Sequence, residues 1–357
     1  MQTINSYKSG SYWLIIIGLL CTLSARASEY GSIEKKKSVI KMYDVSTKET
    51  LLIDNQFGQV KVNLWDKSEI RVDISITANA NSDDRVQQYL DGVSIEDKKE
   101  GNQISIRTII NKNGNSNWSW KSNNGEKNFV QIDYTVSMPK NTPLTVKNRF
   151  GNTNIPFFKA PLVIESKYGS FIATDLSGSK NDIDVAYGKA EIQHLLNGNL
   201  DIAYSTLELD KANNIVLNNK FGKMKIGEVE TLDGQISYSG GRIGNLKGSS
   251  KIKLSFSGGF RIDQLNESAD NVDIQASYSS VTIPMENNDC NFDVTVSYGG
   301  FKYPGDRKVS FTHNDDDRKD DANRHSPRMT KQYVGKFGNG SGTKVKIVSK
   351  YGEVNLR

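Results

Sequence analysis

The stretch Ile183-Asp184-Val185-Ala186-Tyr187-Gly188-Lys189-Ala190-Glu191-Ile192 decides the fold. Before the tyrosine, apolar residues stand two and four places back; after it, they stand three and five places on. Alternation of period two marks a strand with one buried face. The stretch is therefore two strands meeting at a corner, and the parity of the buried positions flips across Tyr187-Gly188. A bend or bulge at the small residue, which permits unusual backbone angles, accounts for the flip.

The same unit recurs. An aromatic residue followed by Gly or Ser stands at Phe150, Tyr168, Tyr187, Tyr204, Phe221, Tyr238, Phe256, Tyr278 and Tyr298, at intervals of 18, 19, 17, 17, 17, 18, 22 and 20 residues. That spacing belongs to a repeat array. Flanking apolar pairs follow the rings in other units, such as Leu207 and Leu209 after Tyr204, Met224 and Ile226 after Phe221, or Val281 and Ile283 after Tyr278. Between units the chain reads Leu176-Ser177-Gly178-Ser179, Leu196-Asn197-Gly198-Asn199 and Leu246-Lys247-Gly248-Ser249, which is turn chemistry. One unit departs: Gly258-Gly259 sets Phe260 and Ile262 one place late, a one-residue slip.

One unit cannot bury its own apolar face, whereas stacked units can, at ~4.8 Å per layer. The expected fold is all-β: a single-chain parallel β-solenoid of about nine aromatic-Gly/Ser repeats. The rings are expected to form a packed ladder inside it, with ligand stacking as the alternative use of that ladder. Phe57-Gly58 and Tyr351-Gly352 keep the pattern outside the main run, so the chain enters and leaves through the motif.

Three segments complete the domain plan. Residues 1–27 read as a secretory signal peptide, with an apolar run from Tyr12 to Leu23 after Lys8 and the small-x-small site Ala25-Arg26-Ala27. That run is well short of the ~20 residues that span a bilayer, and the mature chain starts at Ser28. Residues 28–143 read as an N-terminal β-rich cap. Its strands are expected at 48–53, 69–78, 103–110 and 129–137, with a short helix from Ser82-Asp83-Asp84 to about Leu90. Residues 144–357 carry the repeats, interrupted at 313–342 by a charge block and a glycine-rich run, read as a solvated insertion.

The chemistry-bearing residues are few. Loss of 1–27 removes Lys8 and Arg26 and no acid, so the formal charge falls from +5 to +3 and gives no footprint for nucleic acid. With Cys21 gone, Cys290 is the only cysteine, so no intramolecular disulfide can form. His194, His313 and His325 match no standard metal spacing, and Gly338-Asn339-Gly340-Ser341-Gly342 lacks the ending of a phosphate loop and reads as flexible. No later segment is long and apolar enough to span a membrane.

One solvent-facing column, three places before each ring, reads Lys147, Glu165, Asp184, Asp201, Asn218, Gln235 and Lys253. Glu165, Asp184 and Asp201 would repel one another at ~4.8 Å unless protonated or bridged by a cation, and oxygen ligands of this kind suit calcium. Arg149 and Lys167 stand beside them and offer the plainer relief, a mixed solvated face. Trp118 and Trp120, in the polar loop 111–128, share a parity and are candidate glycan contacts.

These residues resemble a known family. The run Ile53-x-Asn55-x-Phe57-Gly58-x-Val60-x-Val62 with Trp65-Asp66, the segment Asp133-Tyr134-x-Val136-x-Met138-Pro139, and the closing Lys350-Tyr351-Gly352-Glu353-Val354 look like the bacterial exported putative-adhesin family of unknown function. The resemblance implies an exported strand-repeat protein of the periplasm, outer-membrane surface or exterior, with no catalytic residues to carry over. The function expected is a non-enzymatic adhesion or binding scaffold whose partner is an envelope protein or glycan. Two other classes stand beside it: a β-helix polysaccharide lyase or glycoside hydrolase, which would need Glu165, Asp184 and Asp201 with Arg149 or Lys167, and an envelope-stress or regulatory binding partner.

Overall fold

The computed structural model describes residues 32–111, 128–285, 289–305, 308–317 and 329–357. The signal-peptide reading, Trp118, Trp120, His325 and most of the charge block lie outside them. The described residues form 25 strands, joined in one mixed sheet system, and a single helix.

The helix Asp83–Asp91 starts where expected. Ser82 caps it by accepting from the Arg85 N–H, Asp83 and Asp84 favour its positive end, and Val86, Tyr89 and Leu90 bury its inner face. Around it the chain is antiparallel: Ile33–Asp44 pairs with Glu69–Ala80, which also pairs with Phe129–Pro139, and Val93–Glu100 pairs with Gln103–Ile110. The strands expected at 48–53, 69–78, 103–110 and 129–137 are found as Thr50–Gln56, Glu69–Ala80, Gln103–Ile110 and Phe129–Pro139.

Thr50–Gln56 joins this region to the repeats. It pairs in parallel with Gln103–Ile110 on one side and Leu144–Arg149 on the other, so Phe57-Gly58 forms the layer beneath Phe150-Gly151. From there each unit lies parallel on the last: Leu144–Arg149, Leu162–Lys167, Asn181–Ala186, then the long strands Lys189–Ala203, Thr206–Lys220, Lys223–Ser237 and Gly240–Ser255. The inward columns are apolar and closed to solvent, as with Ile183, Leu200 and Leu217, or Ala190, Leu207 and Met224.

Two of the three expected loops are corrected. Leu196-Asn197-Gly198-Asn199 and Leu246-Lys247-Gly248-Ser249 are not loops; they lie inside Lys189–Ala203 and Gly240–Ser255, with Asn197, Gly198 and Asn199 in register with the next layer and the register shifting across Lys247-Gly248. The slip after Phe256 is present, with Phe260 and Ile262 buried and Gly259 at φ +73° taking the extra residue.

The reading of 313–342 as a solvated, flexible insertion is corrected at both flanks. Val309–Asn314 and Thr330–Phe337 form an antiparallel hairpin, and the second strand pairs with Cys290–Ser297. Apolar side chains order it: Tyr333 and Phe337 are buried, and Phe292 packs on Phe301, Phe311 and Phe337. The glycine run is a strap crossing Asp289, where a Cβ on Gly342 would stand 2.1 Å from the Asp289 carbonyl oxygen.

Candidate interaction surface

The rings are outside, not inside. All eleven non-glycine residues of positive φ among the described residues are the motif aromatics, from Phe57 at 64° to Tyr278 at 50°. The corner is the aromatic itself. Its left-handed backbone turns the ring to the opposite side from the buried residue two places earlier, and ten of the eleven are 40–53 % exposed. The parity flip is legible in the sequence, but the corner lies at the ring, one residue before the Gly or Ser where steric freedom would put it. The frequent choice of tyrosine, with its polar tip, was the available signal for exposure.

Stacking and backbone pairing hold this unusual conformation, which costs a non-glycine residue about 1–2 kcal/mol. The rings lie face to face in the order Phe57, Phe150, Tyr168, Tyr187, Tyr204, Phe221, Tyr238, Phe256, Tyr278, Tyr351, Tyr298. Centroids are 4.6–5.0 Å apart and planes 4–16° from parallel. Each step contributes roughly 0.5–1.5 kcal/mol beyond area burial. The N–H of every ring residue but Tyr298 also continues the parallel ladder, as when Tyr187 donates to Ala203 O at 3.1 Å and Tyr204 to Lys220 O at 2.9 Å; Tyr298 donates to Met329 O at 2.9 Å. Between neighbouring rings the faces are covered, so the stripe offers solvent its ring edges and phenol tips.

The next residue is small because the layers touch there. A Cβ on Gly169 would stand 2.1 Å from Gly151 O, and one on Gly188 2.0 Å from Gly169 O. Where serine replaces glycine, its hydroxyl enters the pairing: Ser205 Oγ accepts from Gly188 N at 3.0 Å and donates to Ala203 O at 2.8 Å. At the first layers buried amides do this work. Asn148 Nδ2 donates to Gly58 O and Gly151 O, each at 3.1 Å, and Asn55 Nδ2 donates to Ile132 O at 3.0 Å. The Asn55-x-Phe57-Gly58 motif is thus a corner clamp.

Pairing brings the acidic column together. Glu165 is the register partner of Asp184, and Asp184 of Asp201. Lys147 Nζ lies 2.6 Å from Glu165 Oε1, and Asn218 Nδ2 donates to Asp201 Oδ1 at 3.3 Å. Asp184 between them has its carboxyl raised above the usual carboxylate range. Partial burial is the main cause; Lys167 opposes the shift, while Asp201 and Glu165 add to it. Among the described residues no three carboxylate, histidine or cysteine side chains form a group that could hold a metal ion. The two described histidines each meet an aspartate: His194 Nδ1 is 3.2 Å from Asp175 and His313 Nε2 3.3 Å from Asp315.

No family model and no curated protein matches the sequence. Solved structures of bacterial proteins described as putative adhesins are similar to it. One from Bacteroides fragilis shares 12% identity at a TM-score of 0.37, covering 90% of this chain and 97% of its own; one from Parabacteroides distasonis shares 12% at 0.35, covering 90% and 97%. A structure described as a putative lipid binding protein, also from Parabacteroides distasonis, shares 12% at 0.35, covering 91% and 96%. Among the described residues no helix is long and apolar enough to cross a membrane.

Proposed function

We propose that this chain is a parallel β-solenoid with an N-terminal β-rich cap, exported to the cell envelope, and that it works as a non-enzymatic adhesion or binding scaffold. The observation that carries the reading is the aromatic stripe: eleven rings in one file, ten of them about half exposed, each fixed by stacking and backbone pairing. A preorganised row of ring edges loses little side-chain freedom on binding, and tyrosine is suited to contacts that are part apolar and part hydrogen-bonded. Seven of the eleven rings are tyrosines, so their phenol tips add a row of donor-acceptors along the stripe, interrupted at Phe221 and Phe256. An extended partner, a glycan chain or a strand-like segment of another envelope protein, matches such a row better than a compact ligand does.

The test is capture by the mature chain, Ser28 to Arg357, of glycans and envelope proteins, compared with a Tyr187→Phe, Tyr204→Phe, Tyr238→Phe variant. That variant keeps the stack and deletes only central hydroxyls. A single glycan or protein retained stoichiometrically, with retention falling about tenfold or more in the variant, supports the reading, since a few lost hydrogen bonds account for that factor. Equal retention by both proteins sinks the role given to the stripe. Depolymerisation of a polysaccharide would replace the scaffold with the lyase or hydrolase reading.

A further inference from the structure

The stack does not follow the order of the chain. Thr343–Lys350 pairs in parallel with Asn271–Ser277 on one side and Cys290–Ser297 on the other. Val354–Leu356 likewise lies between Val281–Ile283 and Phe301–Lys302. The Tyr351 ring sits between Tyr278 at 4.6 Å and Tyr298 at 4.9 Å. The last segment of the sequence is therefore wedged between two layers laid down before it.

That slot is specific for its occupant. The outward column reads Asp233, Lys251, Asp273, Lys346, Asp293 in register, alternating in sign only because Lys346 separates Asp273 from Asp293. Opposite charges directly across paired strands stabilise and like charges do the reverse. A Cβ on Gly352 would stand 1.9 Å from Ser279 O, and Glu353 Oε1 meets Lys302 Nζ at 3.0 Å. Val345, Ile347, Val354 and Leu356 fill the core at 0–2 % exposure.

All of these contacts are made by residues 343–356. Covalently, the segment is tied to this particular slot by the strap 338–342, which carries the chain from Phe337 on one side of Cys290 to Thr343 on the other. Gly338 at φ +62° and Gly340 at φ +77° shape the crossing.

We propose that the slot is a strand-acceptor site, filled here by the chain's own Thr343–Leu356, and that its other occupant is the same segment of a second copy. Exchange of an identical element preserves every contact, so the strap alone sets the balance between the closed chain and linked copies. This inference is independent of what the aromatic stripe binds.

Removing Asn339, Gly340 and Ser341 shifts that balance. Two residues then span from Phe337 to Thr343, a reach of about 10 Å at ~3.3–3.6 Å per residue. Two strand spacings already take up about 9.6 Å, leaving no length to arch over Asp289. Linkage is read by mixing copies that carry Gln275→Cys with copies that carry Val348→Cys. These positions are register partners, both exposed, at a separation a disulfide can bridge.

The shortened chain is expected to run as a dimer or longer assembly by light scattering, and the mixed copies to cross-link. The unshortened chain should stay monomeric and uncross-linked when mixed in its folded state. A shortened chain that stays monomeric without cross-linking overturns the proposal. A second readout does not depend on how that variant folds: the two unshortened cysteine variants, unfolded and refolded together at high concentration, should yield a cross-linked fraction. Its complete absence overturns the proposal equally.

Discussion

Replacement of Tyr204 separates the two forces that set the corner. Tyr204 is 50 % exposed at φ +51° and stacks between Tyr187 at 4.9 Å and Phe221 at 4.8 Å. An aromatic side chain presents about 150–250 Å², so burial of half of it at ~25 cal/mol per Å² amounts to roughly 2–3 kcal/mol. Tyr204→Ala should lose about that much, less than the 3–5 kcal/mol of a fully buried ring. Alanine also stays in the left-handed region, at a cost of about 1–2 kcal/mol, from which glycine is exempt. Glycine's extra unfolded-state freedom returns about 0.4–1 kcal/mol of that advantage. Tyr204→Gly should therefore be more stable than Tyr204→Ala by about 0.5–1 kcal/mol, the reverse of the usual order within strands. Urea midpoints at equal slope measure the order. Alanine equal to or above glycine would refute the assignment of the strained conformation to the ring residue.

Three further outcomes follow from neighbouring positions. Gly188→Ala puts a methyl 2.0 Å from Gly169 O, so the two layers must shift, and it should cost about 1–3 kcal/mol by the same denaturation assay; a loss under about 1 kcal/mol would contradict the contact. Asn219 is fully buried between its register partners Ile202 and Ile236, with neither side-chain polar atom hydrogen-bonded, so Asn219→Val should stabilise by about 1–2 kcal/mol, and destabilisation would mean that the amide is satisfied. Asp184 has its folded pKa raised above its ordinary value of 3.8, so the ionised carboxylate destabilises the native state above the folded pKa, and that cost disappears as pH falls through it. Asp184→Asn should thus raise the melting temperature at pH 7 and make no difference below about pH 3.8. A rise with millimolar calcium in the natural chain that the variant abolishes would instead place a bridging cation in the column.

Much of the layer was legible because it depends on local parity. The strands before and after each ring, the buried positions Ile183, Val185, Ala190 and Ile192, the capped helix and the slip at Gly259 all follow from alternation or turn chemistry within a few residues. The side on which the rings lie was not legible in the same way, since a flip across Tyr187-Gly188 is equally consistent with a corner at either residue. Steric freedom favours glycine for the corner; what overrides it is the stack, a long-range term absent from any single repeat. The strap was missed for the same reason: Gly338 to Gly342 reads as flexible until Asp289 is known to pass beneath it.

Long-range order within the stack rests on small asymmetries between otherwise similar layers. Alternating apolar residues fix which face is buried, but they would accept almost any layer as a neighbour, since Val345 and Ile347 suit any of the inward columns. Ring and glycine fix the axial position of the corner and are nearly as uniform. Only the outward side chains differ enough to choose neighbours, and they do so at the point where chain order and stack order part: Lys346 between Asp273 and Asp293. Without that lysine the two aspartates would belong to strands with no cation between them. Lys346→Glu should therefore weaken the seating of the last strand far more than its exposure suggests, whereas Lys344→Glu, whose register partners are Asn271 and Asn291, should not. Protection of strand 343–350 against limited proteolysis distinguishes the two, and equal protection in both variants would mean that the apolar core alone selects the slot.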